Sequence, residues 1–146
     1  MKPTLNYPPV WLAGFMTMAR LVAKFHAPLG EEYRAFGRIT IGLGVTIMVW
    51  AAFTFRKAQT TIVPHKAPNA LVRTGPYRFS RNPIYLADMM VLTGWSVSLG
   101  APLALALLVP FYFVLLSLFI LPEETKLIEH LGKEYLEYLN KVRRWI

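Results

Sequence analysis

Cysteine is absent from the chain, which excludes disulfides and thiolate chemistry and leaves the compartment unread from redox usage. Charge is scarce too. Only 16% of the 146 residues are charged, against about 25% in a soluble globular domain. Hydrophobic residues make up 55%, and mean hydropathy is +0.39. That balance rules out disorder and argues against an ordinary soluble enzyme. Acids are the rarer sign, 8 against 16 bases, for a net charge of +8. The distribution of the bases points to a membrane surface rather than nucleic acid. There is no internal repeat, low-complexity tract or soluble second domain, so residues 1–146 read as one integral membrane domain.

Long apolar runs set the expected architecture, which is all-α and polytopic. Residues 39–55 carry no charge, close to the roughly 20 residues that a membrane-spanning helix needs. Residues 84–121 carry a single charge, Asp88. As one helix this run would reach roughly 57 Å, nearly twice the hydrocarbon core, so it must fold back on itself. Gly100-Ala101-Pro102 is the expected turn of a helical hairpin. A weaker run from Val10 to Phe25 ends on Arg20 and Lys24, whose long side chains suit the interface. No small-x-small cleavage pattern follows it, so it reads as a span rather than a signal peptide. Four spans are expected, over 10–25, 37–55, 84–99 and 102–121.

Between the second and third spans lie Arg56, Lys57, Lys66, Arg73, Arg78 and Arg81, with no acid among them. The hairpin turn has no charge at all. The positive-inside rule therefore places this segment, and the C-terminus with it, on the cytoplasmic side. The last residues form an amphipathic helix. Leu127, Leu131, Tyr135, Tyr138, Val142 and Trp145 recur at steps of three and four, opposite a face of Glu129, Lys133, Glu134, Glu137, Lys141 and Arg143. Gly132 is expected to break or bend it. Such a helix either lies on the bilayer or caps a cytoplasmic cavity.

Residues 62–88 and 122–146 carry the candidate chemistry. Asn82-Pro83 reads as an N-cap followed by proline in the first helical turn. The free amides and dipole of that helix start suit a carboxylate or phosphate, with Arg78 and Arg81 beside it. Tyr77 and Tyr85 add aromatic faces. Glu123 and Glu124 follow Pro122, which is expected to bend the chain so that the acids face the arginine-rich loop. Asp88, about one turn into the third span, is either a functional intramembrane acid or a side chain reaching headgroups or a loop arginine. No metal site is read from the sequence.

Three motifs in order carry a resemblance. Leu71-Val72-Arg73-Thr74-Gly75-Pro76-Tyr77, Arg81-Asn82-Pro83-Ile84-Tyr85 and Glu123-Glu124, followed by Leu131-Gly132-Lys133-Glu134-Tyr135 with Tyr138, resemble the isoprenylcysteine carboxyl methyltransferase family. The related phospholipid methyltransferases look similar over the same region, residues 62–146. The resemblance implies a membrane methyltransferase that uses S-adenosyl-L-methionine on a lipid-like or amphiphilic acceptor entering from the bilayer. It implies cofactor contacts from Asn69, Ala70, Leu71, Val72, Tyr77, Asn82, Pro83, Ile84 and Tyr85, and from Glu123 or Glu124. Arg81, Glu124 and Asp88 are the candidate catalytic side chains, with His65 a further proton sink. The chain departs from the family at Asn82, where histidine is common. It also departs at Phe119 and Ile120, where the prenylcysteine enzymes place an arginine. Two other readings remain open: an NADPH-dependent, sterol-reductase-like membrane reductase, and a non-catalytic lipid-binding membrane protein.

Overall fold

The structure is a computed structural model that describes residues 7–25, 30–58 and 71–146. Its first two helices are α1 (Pro8–Ala23) and α2 (Glu31–Lys57). A 3-10 turn over Gly75–Arg78 leads into α3 (Pro83–Ser98). After a second 3-10 segment, Pro102–Leu107, come α4 (Leu108–Leu115), a π-helical stretch over Leu116–Ile120, α5 (Leu121–Leu131) and α6 (Lys133–Lys141). No strand occurs among the described residues.

Local chemistry explains most boundaries. Pro8 and Pro83 occupy first turns, where a missing N–H costs nothing. Helix α2 starts about a turn and a half before the expected residue 37. Glu31 holds Arg34 at 2.6 Å and Arg38 at 3.0 Å. Acids in the first turn with Arg56 and Lys57 in the last also complement the helix dipole. At the hairpin, Gly100 takes φ +71°. Its N–H bonds the Val97 carbonyl, and the Ala101 N–H bonds that of Ser96, which together close a Schellman turn.

The expected bend at Pro122 does not form. The helix beginning at Pro102 instead runs on to Leu131, so the fourth apolar segment passes beyond residue 121. The π-helical stretch makes this possible: the Leu121 N–H bonds the Leu116 carbonyl five residues back. Pro122 then falls in the first turn of α5. The real break is Gly132, with φ +51°, as its position in the amphipathic stripe suggests.

Helix α2 runs antiparallel against α3, and glycines set their separation. A Cβ on Gly37 would overlap the Ser98 amide and the Gly94 carbonyl, and one on Gly94 would overlap the Gly37 carbonyl. Small residues allow the two helix backbones to approach this closely. Helix α1 lies across α3 and α4, with Phe15 packed on Phe111 and the Met16 carbonyl accepting from Trp95 Nε1 at 3.0 Å. The main apolar cluster joins Phe15, Tyr85, Leu92, Phe111, Leu115, Phe119 and Ile120.

Two helical stretches are long and apolar enough to cross a membrane, Glu31–Lys57 and Pro102–Leu131. Only 17% and 28% of their apolar windows are buried within the protein, unlike core helices of a soluble domain. Helices α1 and α3 have 16 residues each, about 24 Å.

Candidate functional site

One end of the bundle gathers nearly all the polar side chains that the sequence singles out. The turn over residues 80–82 is stitched to the C-terminal strap, residues 142–146, by three hydrogen bonds, with a fourth inside the turn. The Arg81 N–H donates to the Arg143 carbonyl at 3.0 Å. Asn82 Nδ2 and Ser80 Oγ both donate to the Arg144 carbonyl, at 3.1 and 3.3 Å. The Asn82 N–H in turn donates to Ser80 Oγ at 3.1 Å. Asn82 does stand at the N-cap position, but its side chain makes no capping bond. The cap expected from the sequence is thus replaced by a tertiary contact, because the strap carbonyl captures the amide.

The two adjoining glutamates have separate surroundings. Glu124 lies between two guanidinium groups, with Arg81 Nη1 at 3.2 Å from Oε1. Arg144 grips it with two bonds, Nε to Oε1 at 3.1 Å and Nη2 to Oε2 at 2.7 Å. This fork geometry is the strongest form of the pair, and it raises the Arg144 pKa, the hydrogen bond being the main cause. Glu123 faces elsewhere and accepts a hydrogen bond from the Tyr85 hydroxyl at 2.7 Å. A single residue step along the helix suffices for this division. Adjoining residues differ by about 100° around the axis, so Glu124 meets the loop and strap while Glu123 meets α3.

Tyrosines close the floor. The Tyr138 hydroxyl donates to the Tyr77 carbonyl at 2.6 Å, which ties α6 to the loop. Burial is the main cause that pushes the Tyr138 phenol up to about 12, against the pull of Arg81 and Arg73. Tyr77 and Tyr135 are raised as well, again chiefly by burial. Tyr77, Val72 and Ala51 form a small buried cluster with Phe55 and Ile84 around it. Arg73 reaches the carbonyl and carboxylate of Glu134 at 3.1 and 3.0 Å. The amphipathic stripe therefore caps the loop, with Tyr135 and Tyr138 buried beneath it.

Of the residues expected to act together, Leu71, Val72, Tyr77, Arg81, Asn82, Pro83, Ile84, Tyr85, Glu123 and Glu124 are brought to this end of the bundle by the loop, α3, α5 and α6. Asn69, Ala70 and His65 lie outside the described residues. Asp88 pairs with no arginine among the described residues and does not reach the surface. It is 2% exposed, and its Oδ2 has no partner. Sequence reasoning passes over Ser80 and Arg144. The only signals for them are a serine two residues before the Asn82 turn and a basic pair ending the stripe. Arg81 Nε is buried and unpartnered as well, a free donor beside the start of α3.

Comparison with known proteins gives this arrangement a family. A family model described as phospholipid methyltransferase matches residues 33–134. Protein-S-isoprenylcysteine O-methyltransferase of Saccharomyces cerevisiae is 41% identical over 111 residues, covering 73% of this chain and 45% of the yeast protein. The chain thus spans less than half the length of that relative. An uncharacterized protein of Haemophilus influenzae is 38% identical over 63 residues, 43% of this chain and all of that one. With its helical architecture and the matched segment running from α2 into α6, the chain belongs to the phospholipid methyltransferase family.

Proposed function

We propose that this protein is an S-adenosylmethionine-dependent membrane methyltransferase acting on a lipid-like or amphiphilic acceptor. In this reading α1, α2, α3 and the helix from Pro102 all cross the bilayer. The basic segment between α2 and α3 faces the cytoplasm, where the methyl donor is available. Family membership supports the reaction class, and the activity in the name of the yeast relative supports methyl transfer.

The observation that carries the reading is the free, buried Arg81 Nε beside the first turn of α3. A buried donor without a partner calls for an acceptor, and the methionyl carboxylate of the donor supplies one where the helix dipole also favours an anion. Arg81, the α3 amides and Asn82 would hold that carboxylate. Glu123, steadied by the Tyr85 hydroxyl, would take the ammonium or ribose hydroxyls. Glu124 has a different task, since both its oxygens serve Arg81 and Arg144. It orients Arg81 and locks the strap.

The bound donor supplies an electrophilic methyl group. The protein's part is alignment and exclusion of water, because positive charge disperses as the methyl moves. Tyr77 and Tyr85 wall the site with apolar rings, and the strap closes it from the cytoplasmic side. Titration calorimetry of the full chain in detergent tests the reading. S-adenosylhomocysteine is expected to bind and NADPH not to bind. Binding of NADPH alone would support a reductase, and binding of neither would leave a lipid-binding protein.

A further inference from the structure

A groove of about 320 Å³ lies between the last turns of α2 and the turn at Gly75, lined by Trp50, Phe53, Thr54, Lys57, Thr74 and Gly75. None of the residues assigned to the donor site lines it. Gly75 keeps its floor open: it takes φ +59°, and a Cβ there would lie 2.6 Å from Thr54 Oγ1 and 3.3 Å from Trp50 Nε1. Those two polar atoms therefore converge on one point of the floor. The Thr54 hydroxyl is spent on the Trp50 carbonyl, to which it donates at 2.8 Å. Trp50 Nε1, the Thr74 hydroxyl and the Lys57 ammonium have no partner among the described residues. Three free donors thus border one groove, and no acid lines it. A group with several acceptor oxygens and negative charge answers that set, and a phosphate has both.

The rest of the ligand is written on α2. Ile39, Leu43, Thr46, Trp50, Phe53 and Lys57 recur at steps of four and three, so they form one stripe, and all six are exposed. The stripe is apolar apart from Thr46 until it reaches the groove, where it ends on Lys57. From Phe53 back to Leu43 it extends about 15 Å, half of the ~30 Å hydrocarbon core and so the depth of one leaflet. An indole N–H and an ammonium at the end of such a stripe stand at headgroup level. We propose that this groove is a binding site for the phosphate of an anionic phospholipid, held by Trp50 Nε1, Lys57 and the Thr74 hydroxyl, with an acyl chain along the exposed α2 stripe. The inference rests on the reading above that α2 crosses the bilayer, and not on the reaction. The lipid is no methyl acceptor here; it clamps the Gly75 turn onto α2. Tyr77 lies two residues further along that turn and packs edge-on against Phe55 of α2 at 4.9 Å.

Native mass spectrometry of the full chain in dodecyl maltoside tests the site, with dioleoylphosphatidylglycerol as the probe and dioleoylglycerol, the same chains without phosphate, as the control. One phosphatidylglycerol per chain is expected, held about tenfold more tightly than the control. Lys57→Gln should weaken it about fivefold, as loss of a partly exposed ion pair does. Trp50→Phe keeps an apolar ring and removes the N–H, and should weaken it about threefold. Both variants should melt like the parent without lipid, since both side chains are on the surface. Arg56→Gln removes the same charge one residue away, outside the groove, and should change affinity less than about twofold. An Arg56→Gln effect as large as that of Lys57→Gln would mean diffuse attraction to a basic surface and overturns the inference. So do equal retention of dioleoylglycerol, displacement of the lipid by equimolar glycerol 3-phosphate, and a dimer that excludes the lipid. Loss of lipid binding with S-adenosylhomocysteine still bound leaves the methyl-transfer reading intact.

Discussion

The two ends of the helical bundle solve the same problem in different ways. Each must satisfy the backbone groups that helices leave open at their termini. At the hairpin end the solution is small and local. A Schellman turn at Gly100 closes α3, Arg34 Nε donates to the Ser98 carbonyl at 3.2 Å, and Ala19, Ala101 and Ala104 pack without polar help. At the other end the solution is distant in sequence. Ser80, Arg81 and Asn82 bond to residues more than sixty positions away, and Arg81 and Arg144 meet on Glu124. The hairpin end closes a helix pair with a turn and small apolar residues. The loop end is built around a charge cluster in which Glu124 holds Arg81 and Arg144 together.

That contrast breaks most sharply at Glu124. Glu124→Ala strands two guanidinium groups, one of them at 12% side-chain exposure. It should cost about 3–5 kcal/mol in chemical unfolding in detergent, and protease should then clip the strap after residue 141. Gly94→Val is next, because the added methyl groups meet the α2 backbone on the shared face. A loss of about 2 kcal/mol is expected from overpacking, read as a lower melting temperature with both ends affected. Glu123→Gln keeps the shape but removes the charge facing Tyr85. S-adenosylhomocysteine affinity should fall about tenfold, or about 1.4 kcal/mol, with melting hardly changed.

Asn82→Ala deletes the bond to the Arg144 carbonyl and should cost about 1 kcal/mol. Hydrogen exchange separates this from a lost cap: protection should fall in residues 143–146, not in the first turn of α3. The smallest effect belongs to the hairpin end. Arg34→Ala removes a half-exposed contact and should cost about 0.5 kcal/mol, with donor affinity unaltered. If Arg34→Ala weakened the donor as much as Glu123→Gln, the two ends would be coupled and the distinction between them would fail.

Much of the architecture is legible in the sequence. The hairpin at Gly100 follows from an apolar run too long for one crossing, and the break at Gly132 from a glycine interrupting an amphipathic stripe. The capping side chain of Asn82 and the bend at Pro122 mislead for a common reason. Both rest on local propensity, and in each a tertiary or helical alternative satisfies the same groups. The Arg144 carbonyl takes the Asn82 amide, and a π-helical stretch absorbs the proline. The early start of α2 escapes a reading that counts charged residues against a span. There the Glu31 ion pairs extend the helix past the apolar run.

Periodicity and charge count, by themselves, determined which segments are helical, where they reverse and which end is basic, because these depend on solvation of near neighbours along the chain. They also brought Glu123 and Glu124 forward as a pair. Only the tertiary structure decided that the two acids face different partners, that Ser80 and Arg144 join the site, and that Asp88 is left unpaired among apolar rings. The physical reason is range. A helix responds to contacts three or four residues away, whereas the partners of a buried polar atom are set by segments that meet only after the bundle has packed.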